Sequence, residues 1–265
     1  MKRLTIKTPV SLTGTGLHSG KECTLTFRPA PENAGLVFSY RGFPLPALAE
    51  NVTDTTRGTS LGKIKLVEHL LAAVCGLGID DLIIELDENE PPALDGSAKL
   101  FSLALKSVGL KELPAEKSFI KIDRELSLEE SGASLKLTPF DGFTVHFVIE
   151  FPVIGRQEFA YNGDFASIAE ARTFGYLSEL EELKKKGLAR GASLENSLAI
   201  DKGGYANPPR FPDEPVRHKV LDLVGDLALV GFPIRGKIEA FKSGHGLNVA
   251  LARRIREECL TSRTS

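Results

Sequence analysis

The chain has 265 residues, 42% of them hydrophobic, a formal net charge of −2 and three cysteines. That length allows one large or two ordinary domains with a core able to fold unaided, and a near-neutral balance with no basic stripe excludes nucleic acid as a partner on electrostatic grounds. Cys23, Cys75 and Cys259 are odd in number, far apart and without C-x-x-C spacing, which argues against a disulfide framework or a cysteine zinc site and suits a reducing cytoplasm.

The N-terminus, MKRLTIKTPVSLTG, starts basic but has no apolar run of signal-peptide length. No segment reaches the roughly 18 apolar residues of a membrane helix, so a protein neither secreted nor membrane-spanning is expected. LTIKTPVSLTGTGL and CTLTFRPA alternate apolar and polar positions and read as strands, punctuated by Gly14, Gly16 and Gly20. From Lys65 to Val74, Leu66, Leu70, Leu71 and Val74 recur at helical spacing, and Gly76 is a suitable stop. DLIIEL then reads as a strand and Asp95 to Leu110 as a second helix. Lys111 to Lys117 is rich in Lys, Glu and Pro without periodicity and is expected to link a first domain, 1–113, to a second, 118–265.

The second half opens with strands at SFIKIDRELSL, ASLKLTPF and FTVHFVIEF. In the last, Phe143, Val145, Phe147, Ile149 and Phe151 share one face, and His146 falls on the other, where a solvent-facing role is the simplest. Helices are expected at Ser167 to Ala171, Ser178 to Lys186 and Pro215 to Leu229. AAVCGLGIDDLIIEL and LALVGFPIRGKIEAF each run helix, glycine, short turn, strand, which suggests two related halves. The expected fold is α+β: each half a mostly antiparallel or mixed sheet with helices on one face, the helices packed between the two sheets. That packing brings Glu68-His69 close to His218-Asp222.

The chemistry lies in those two segments. VEHLLAA sets the Glu68 carboxylate directly before His69, and in DEPVRHKVLDLVGD His218, Asp222 and Asp226 follow at intervals of four on one helical face. Two imidazoles and one carboxylate form a three-ligand zinc set that leaves the fourth tetrahedral position to water, with Glu68 over as a base. Each part has an ordinary reading: Glu-His is common on helix surfaces, and HxxxD forms helical ion pairs. Asp222 and Asp226, however, lie among Val220, Leu221, Leu223, Val224 and Leu227, and carboxylates near a buried region need a cation, a donor or a solvent-filled cleft. A metal and His245 meet that need. His245 stands between two glycines in SGHGLN, which suits a tight loop delivering an imidazole into a cleft and equally suits a plain turn. Thr173 in ARTFG is either an oxyanion donor or a helix cap.

VEHLLAA, LDGSA, ARTFG, VRHKVLDLVGDL and KSGHGLN, in this order and together with TGTGLHSG and GLGIDDLIIEL, resemble the zinc-dependent UDP-3-O-acyl-N-acetylglucosamine deacetylases of lipid A biosynthesis, the LpxC family. The resemblance covers nearly the whole chain. It implies zinc, with ferrous iron as the alternative, on His69, His218 and Asp222. Glu68 would be the general base, Thr173 an oxyanion donor, and His245, held as imidazolium by Asp226, the acid; a one-base scheme gives both proton transfers to Glu68. It further implies a β-α-β insert at about 174–200 forming an apolar acyl passage, with Phe174, Gly175, Leu180 and Leu194 as contacts and Leu188 and Ile200 as further lining candidates. Lys219 and Lys242 would face the nucleotide diphosphate and Phe143 the uracil.

Only Gly62 to Leu66 separate TTRGTSL from VEHLL, so the first-half insert is expected to be shorter than in the family and the rim more open; His18, in the matching TGTGLHSG, is assigned no chemical step, and a structural hydrogen-bonding role suits it at least as well. The expectation is a cytoplasmic, monomeric zinc amidohydrolase that takes a UDP-sugar bearing an acyl chain. The alternatives are a deacetylase for another N-acetylated sugar and a non-catalytic nucleotide-sugar or acyl-chain binding protein.

Overall fold

The computed structural model describes residues 1–260. Its helices are α1 (Glu68–Gly76), α2 (Lys99–Ser107), α3 (Leu177–Lys185), α4 (Glu214–Leu227) and α5 (His245–Leu260). A five-stranded sheet orders its strands Val10–Thr15, Glu22–Pro29, Leu82–Leu86, Leu36–Tyr40 and Phe43–Pro46. A six-stranded sheet orders Leu126–Glu130, Ala133–Thr138, Ile234–Phe241, Phe143–Phe151 and Gly155–Tyr161, with Ile120–Lys121 parallel to the middle strand. In both sheets the middle strand enters last, after a helix, and lies antiparallel to one neighbour and parallel to the other. Helix α1 precedes the first middle strand and α2 follows it; α4 and α5 repeat that order around the second. The helix-glycine-strand repeat in the sequence is thus the visible part of one topology used twice, an α+β fold with helices between two sheets.

Alternation produces the two-faced strands. Cys23, Leu25 and Phe27 point into the core while Thr24 and Thr26 are only half-buried, and Val145, Phe147 and Ile149 point inward while His146 faces solvent near Glu158. Helix α4 is buried nearly all round through Val216, Val220, Leu221, Leu223, Val224 and Leu227. It packs on α1, whose Leu70, Leu71 and Val74 are fully buried. Each such side chain contributes about 1.5–3 kcal/mol on leaving water. The helices approach closely at Gly225, where an added Cβ would stand 2.0 Å from the Glu68 carbonyl oxygen. Cys23 and Cys75 are free thiols, and no helix among the described residues is long and apolar enough to cross a membrane.

Several elements differ from expectation. The expected linker is a strand, Leu110–Glu116, paired antiparallel with Lys2–Ile6. Its register shifts across the stretch that contains Pro114, whose carbonyl accepts from Lys2 Nζ, so a bulge accommodates a residue that cannot donate to a ladder. Helix α1 starts three residues late because Leu66 is in the left-handed region (φ 54°), and α2 is confined between Gly96 and Gly109, both with positive φ. The helix expected at Ser167 to Ala171 is only the 3-10 turn Phe165–Ser167, capped by Asp164. SGHGLN is not a loop: His245 opens α5.

Candidate metal centre

Two helix starts and one helix face build the site. Positive φ at Leu66 turns the chain so that Glu68 and His69 become the first two residues of α1, pointing inward. On α4 the four-residue spacing stacks His218, Asp222 and Asp226 along the side that faces α1. At the start of α5, His245 and Asn248 stand three apart, and both reach Asp226.

His69, His218 and Asp222 offer donor atoms that all lie within 4.8 Å of one another. His69 Nε2 is 3.3 Å from Asp222 Oδ1 and His218 Nε2 is 3.3 Å from Asp222 Oδ2. The two imidazoles meet edge to face at 4.9 Å. Asp222 also accepts from Lys219 Nζ at 2.8 Å and lies 3.8 Å from His245 Nε2. His245 Nδ1 lies 2.9 Å from Asp226 Oδ2. The fully buried Asp226 also accepts from Asn248 Nδ2 at 2.9 Å and from the Thr59 hydroxyl at 2.5 Å. Glu68, only 5% exposed, accepts the Thr59 amide at 2.9 Å through Oε2.

Burial pushes His218 down to about 3 against the pull of Asp222, so it is a neutral imidazole, the form that binds metal. Burial opposes ionisation of Asp222, but His218, Lys219 and His245 outweigh it and hold the carboxyl well below its usual range. Among the described residues, Asp222 Oδ1 and His218 Nδ1 are buried without a hydrogen-bond partner, and an unpartnered carboxylate oxygen between the two imidazoles fits a bound cation. Burial raises Glu68, with His245 and His69 opposing the rise, which moves a carboxylate toward the range of a general base. Burial works against the His245 imidazolium, yet Asp226 and Asp222 prevail and raise it to about 9.

One cavity of about 920 Å³ joins this cluster to an apolar passage. Its reactive end holds Glu68, His69, His218, Lys219, Asp222, Thr173 and His245; Phe174, Gly175, Leu180 and Leu194 line the rest with Leu17, Leu183 and Leu198. Phe174 stands edge to face with both His218 and Phe151. The insert is β-α-β: Phe174–Tyr176 and Leu198–Asp201 pair in parallel across α3. Two of the lining candidates are not on the cavity wall. Leu188 is not part of the lining, and Ile200 is fully buried in the core. Lys242 and Phe143 also lie away from the cavity: Lys242 Nζ is 2.6 Å from Glu150, and Phe143 packs on Tyr161. His18 lines the passage and ties the insert to the first half, its Nδ1 accepting from Ala189 N at 3.3 Å and its amide donating to Glu90.

Sequence reasoning missed Thr59 and Asn248. Thr59 sits in an irregular segment and meets Asp226 across 167 positions, a contact no local pattern carries. Asn248 was within reach: read as a helix start, HGLN places His245 and Asn248 on one face.

The family model described as UDP-3-O-acyl N-acetylglycosamine deacetylase matches residues 3–257. The UDP-3-O-acyl-N-acetylglucosamine deacetylase of Myxococcus xanthus (strain DK1622) is 45% identical over 267 residues, 95% of this chain and 85% of the relative. Its counterpart in Anaeromyxobacter dehalogenans (strain 2CP-C) is 43% identical over 265 residues, 95% of this chain and 86% of the relative. The chain belongs to the UDP-3-O-acyl N-acetylglycosamine deacetylase family, LpxC.

Proposed function

We propose that the protein removes acetate hydrolytically from UDP-3-O-(3-hydroxyacyl)-N-acetylglucosamine, the committed step of lipid A biosynthesis. The observation that carries this is the single cavity in which a His, His, Asp donor set and a buried glutamate open onto an apolar passage. A passage of that kind suits an acyl chain, and each methylene it covers contributes about 0.8 kcal/mol.

His69, His218 and Asp222 would hold zinc, and the same donors suit ferrous iron. Bound there, the ion would polarise the acetamide carbonyl and acidify water. Glu68 accepts the proton of the attacking water, and the Thr173 hydroxyl donates to the oxyanion that forms at the carbonyl oxygen. With Asp226 accepting at Nδ1, His245 presents a protonated Nε2 to the cavity and donates to the glucosamine nitrogen as the C–N bond breaks, releasing the free amine and acetate. Lys219 lines the cavity beside Asp222 as the cation on the phosphate side; Lys242 and Phe143 are the contacts assigned to the nucleotide outside it. A cytoplasmic monomer completes the reading.

The test compares acetate release from the acylated substrate with release from UDP-N-acetylglucosamine, using protein of known metal content. A kcat/KM at least 100-fold higher for the acylated compound is expected, since about 2.7 kcal/mol requires only a few buried methylenes. Equal rates would assign the enzyme to another N-acetylated sugar, and binding without acetate release would make it a binding protein.

A further inference from the structure

Thr59 is fully buried beside α1, and every polar group it owns is committed. Its amide donates to Glu68 Oε2 at 2.9 Å, its carbonyl accepts from Val67 N at 3.1 Å, and its hydroxyl donates to Asp226 Oδ1 at 2.5 Å. The preceding Gly58 has φ +147°, and a Cβ there would strike Leu66 at 2.1 Å and Glu68 Oε1 at 2.9 Å, so the backbone passes this close only as glycine.

We propose that Thr59 is a positioning residue for the deacetylation, holding the base and the acid in one frame: its amide orients Glu68, and its hydroxyl orients the Asp226 carboxylate that holds His245. The proposal rests on the deacetylase reading. Asp226 has two oxygens and three donors. Asn248 and His245 both meet Oδ2, so the Thr59 hydroxyl, itself 3.4 Å from His245 Nδ1, supplies the one hydrogen bond at Oδ1 found among the described residues and fixes the carboxylate's rotation. Asn248 is itself oriented, since its Oδ1 accepts from Ser243 Oγ at 2.6 Å and its amide nitrogen must then face Asp226. Without the Thr59 hydroxyl, Oδ1 is a buried acceptor with no donor, and the carboxylate is free to turn away from His245.

The experiment is a double-mutant cycle in kcat between Thr59→Val and His245→Ala, with metal content, KM and the Thr59→Ser rescue measured alongside. Thr59→Val keeps the shape and the amide bond to Glu68 while removing the hydroxyl; Thr59→Ala, which cannot overpack, is measured beside it. In the wild-type background Thr59→Val should lower kcat by about 10- to 100-fold, the range set by a hydrogen bond to a charged group, with KM and metal content unchanged. Thr59→Ser should recover to within about threefold, and in the His245→Ala background Thr59→Val should cost less than about twofold. Equal losses in both backgrounds, or a Thr59→Val enzyme as fast as wild type, would overturn the proposal while leaving the deacetylase reading intact. A metal-loaded wild type that releases no acetate would overturn both.

Discussion

Replacing Gly225 by alanine tests whether α1 and α4 together form the metal centre. The added methyl would stand 2.0 Å from the Glu68 carbonyl oxygen, 2.7 Å from its carbonyl carbon and 3.1 Å from its Cα, where ordinary contact begins at 3.4 Å. All three neighbours are backbone, so no side chain can swing aside and the helices must separate by about 1 Å. Overpacking of this kind costs about 1–3 kcal/mol, which lowers the Tm of a chain this size by about 2–6 °C. The same shift carries His69 on α1 away from His218 and Asp222 on α4, far beyond the roughly 0.2 Å tolerance of a metal–ligand distance. Metal affinity should fall by at least about 10- to 100-fold. The assay is thermal unfolding with and without added metal, plus a competitive metal titration, with Gly203→Ala as control because nothing lies within 4 Å of its added Cβ. A Gly225→Ala protein that melts and binds metal like the control would refute the two-helix construction of the site.

The proton inventory predicts a pH profile. If His245, raised to about 9 and protonated at neutral pH, is the acid, it would serve until pH rises through that value, and Glu68, raised by burial, would limit the acidic side above the ordinary carboxylate range. Asp226→Asn removes the attraction that raises His245, so the alkaline limb of kcat/KM should move to lower pH; an unmoved limb would show that another group sets it. A second expectation concerns the insert's anchorage. Arg172 pairs with buried Glu214 through Nε at 2.9 Å and also donates to the Leu194 and Pro208 carbonyls, tying the passage wall to the first turn of α4. Arg172→Ala leaves that glutamate buried without its cation and should cost about 3–5 kcal/mol in urea unfolding, with Arg172→Ala/Glu214→Gln recovering part of it. A loss under about 1 kcal/mol would show the pair to be solvated.

Much of this was legible in the sequence because it is periodic. The apolar positions of α1 and α4 announced two buried helices, the alternation in FTVHFVIEF placed His146 on the wet face, and the four-residue spacing put His218, Asp222 and Asp226 on one side of α4. The rest depends on contacts between distant segments. Leu110–Glu116 buries only Leu113, so no apolar alternation marks it as a strand; pairing with the N-terminus makes it one. His245 looked like a loop residue because its flanking glycines weaken the helix signal, yet Gly246 is helical. Thr59 had no local signal at all, since its meaning lies in two carboxylates on other helices.

The most direct measurement of the central claim is acetate release by metal-free protein titrated with zinc, beside Glu68→Gln and His69→Ala. Turnover should rise linearly to one equivalent of zinc per chain and then stop rising. Glu68→Gln should bind that equivalent and lose activity by about 10²- to 10⁴-fold, the usual worth of a general base. His69→Ala, short of one donor, should bind zinc weakly. Full turnover without metal, or a Glu68→Gln protein as fast as wild type at one equivalent, would contradict the assignment of a metal-assisted hydrolysis to these residues.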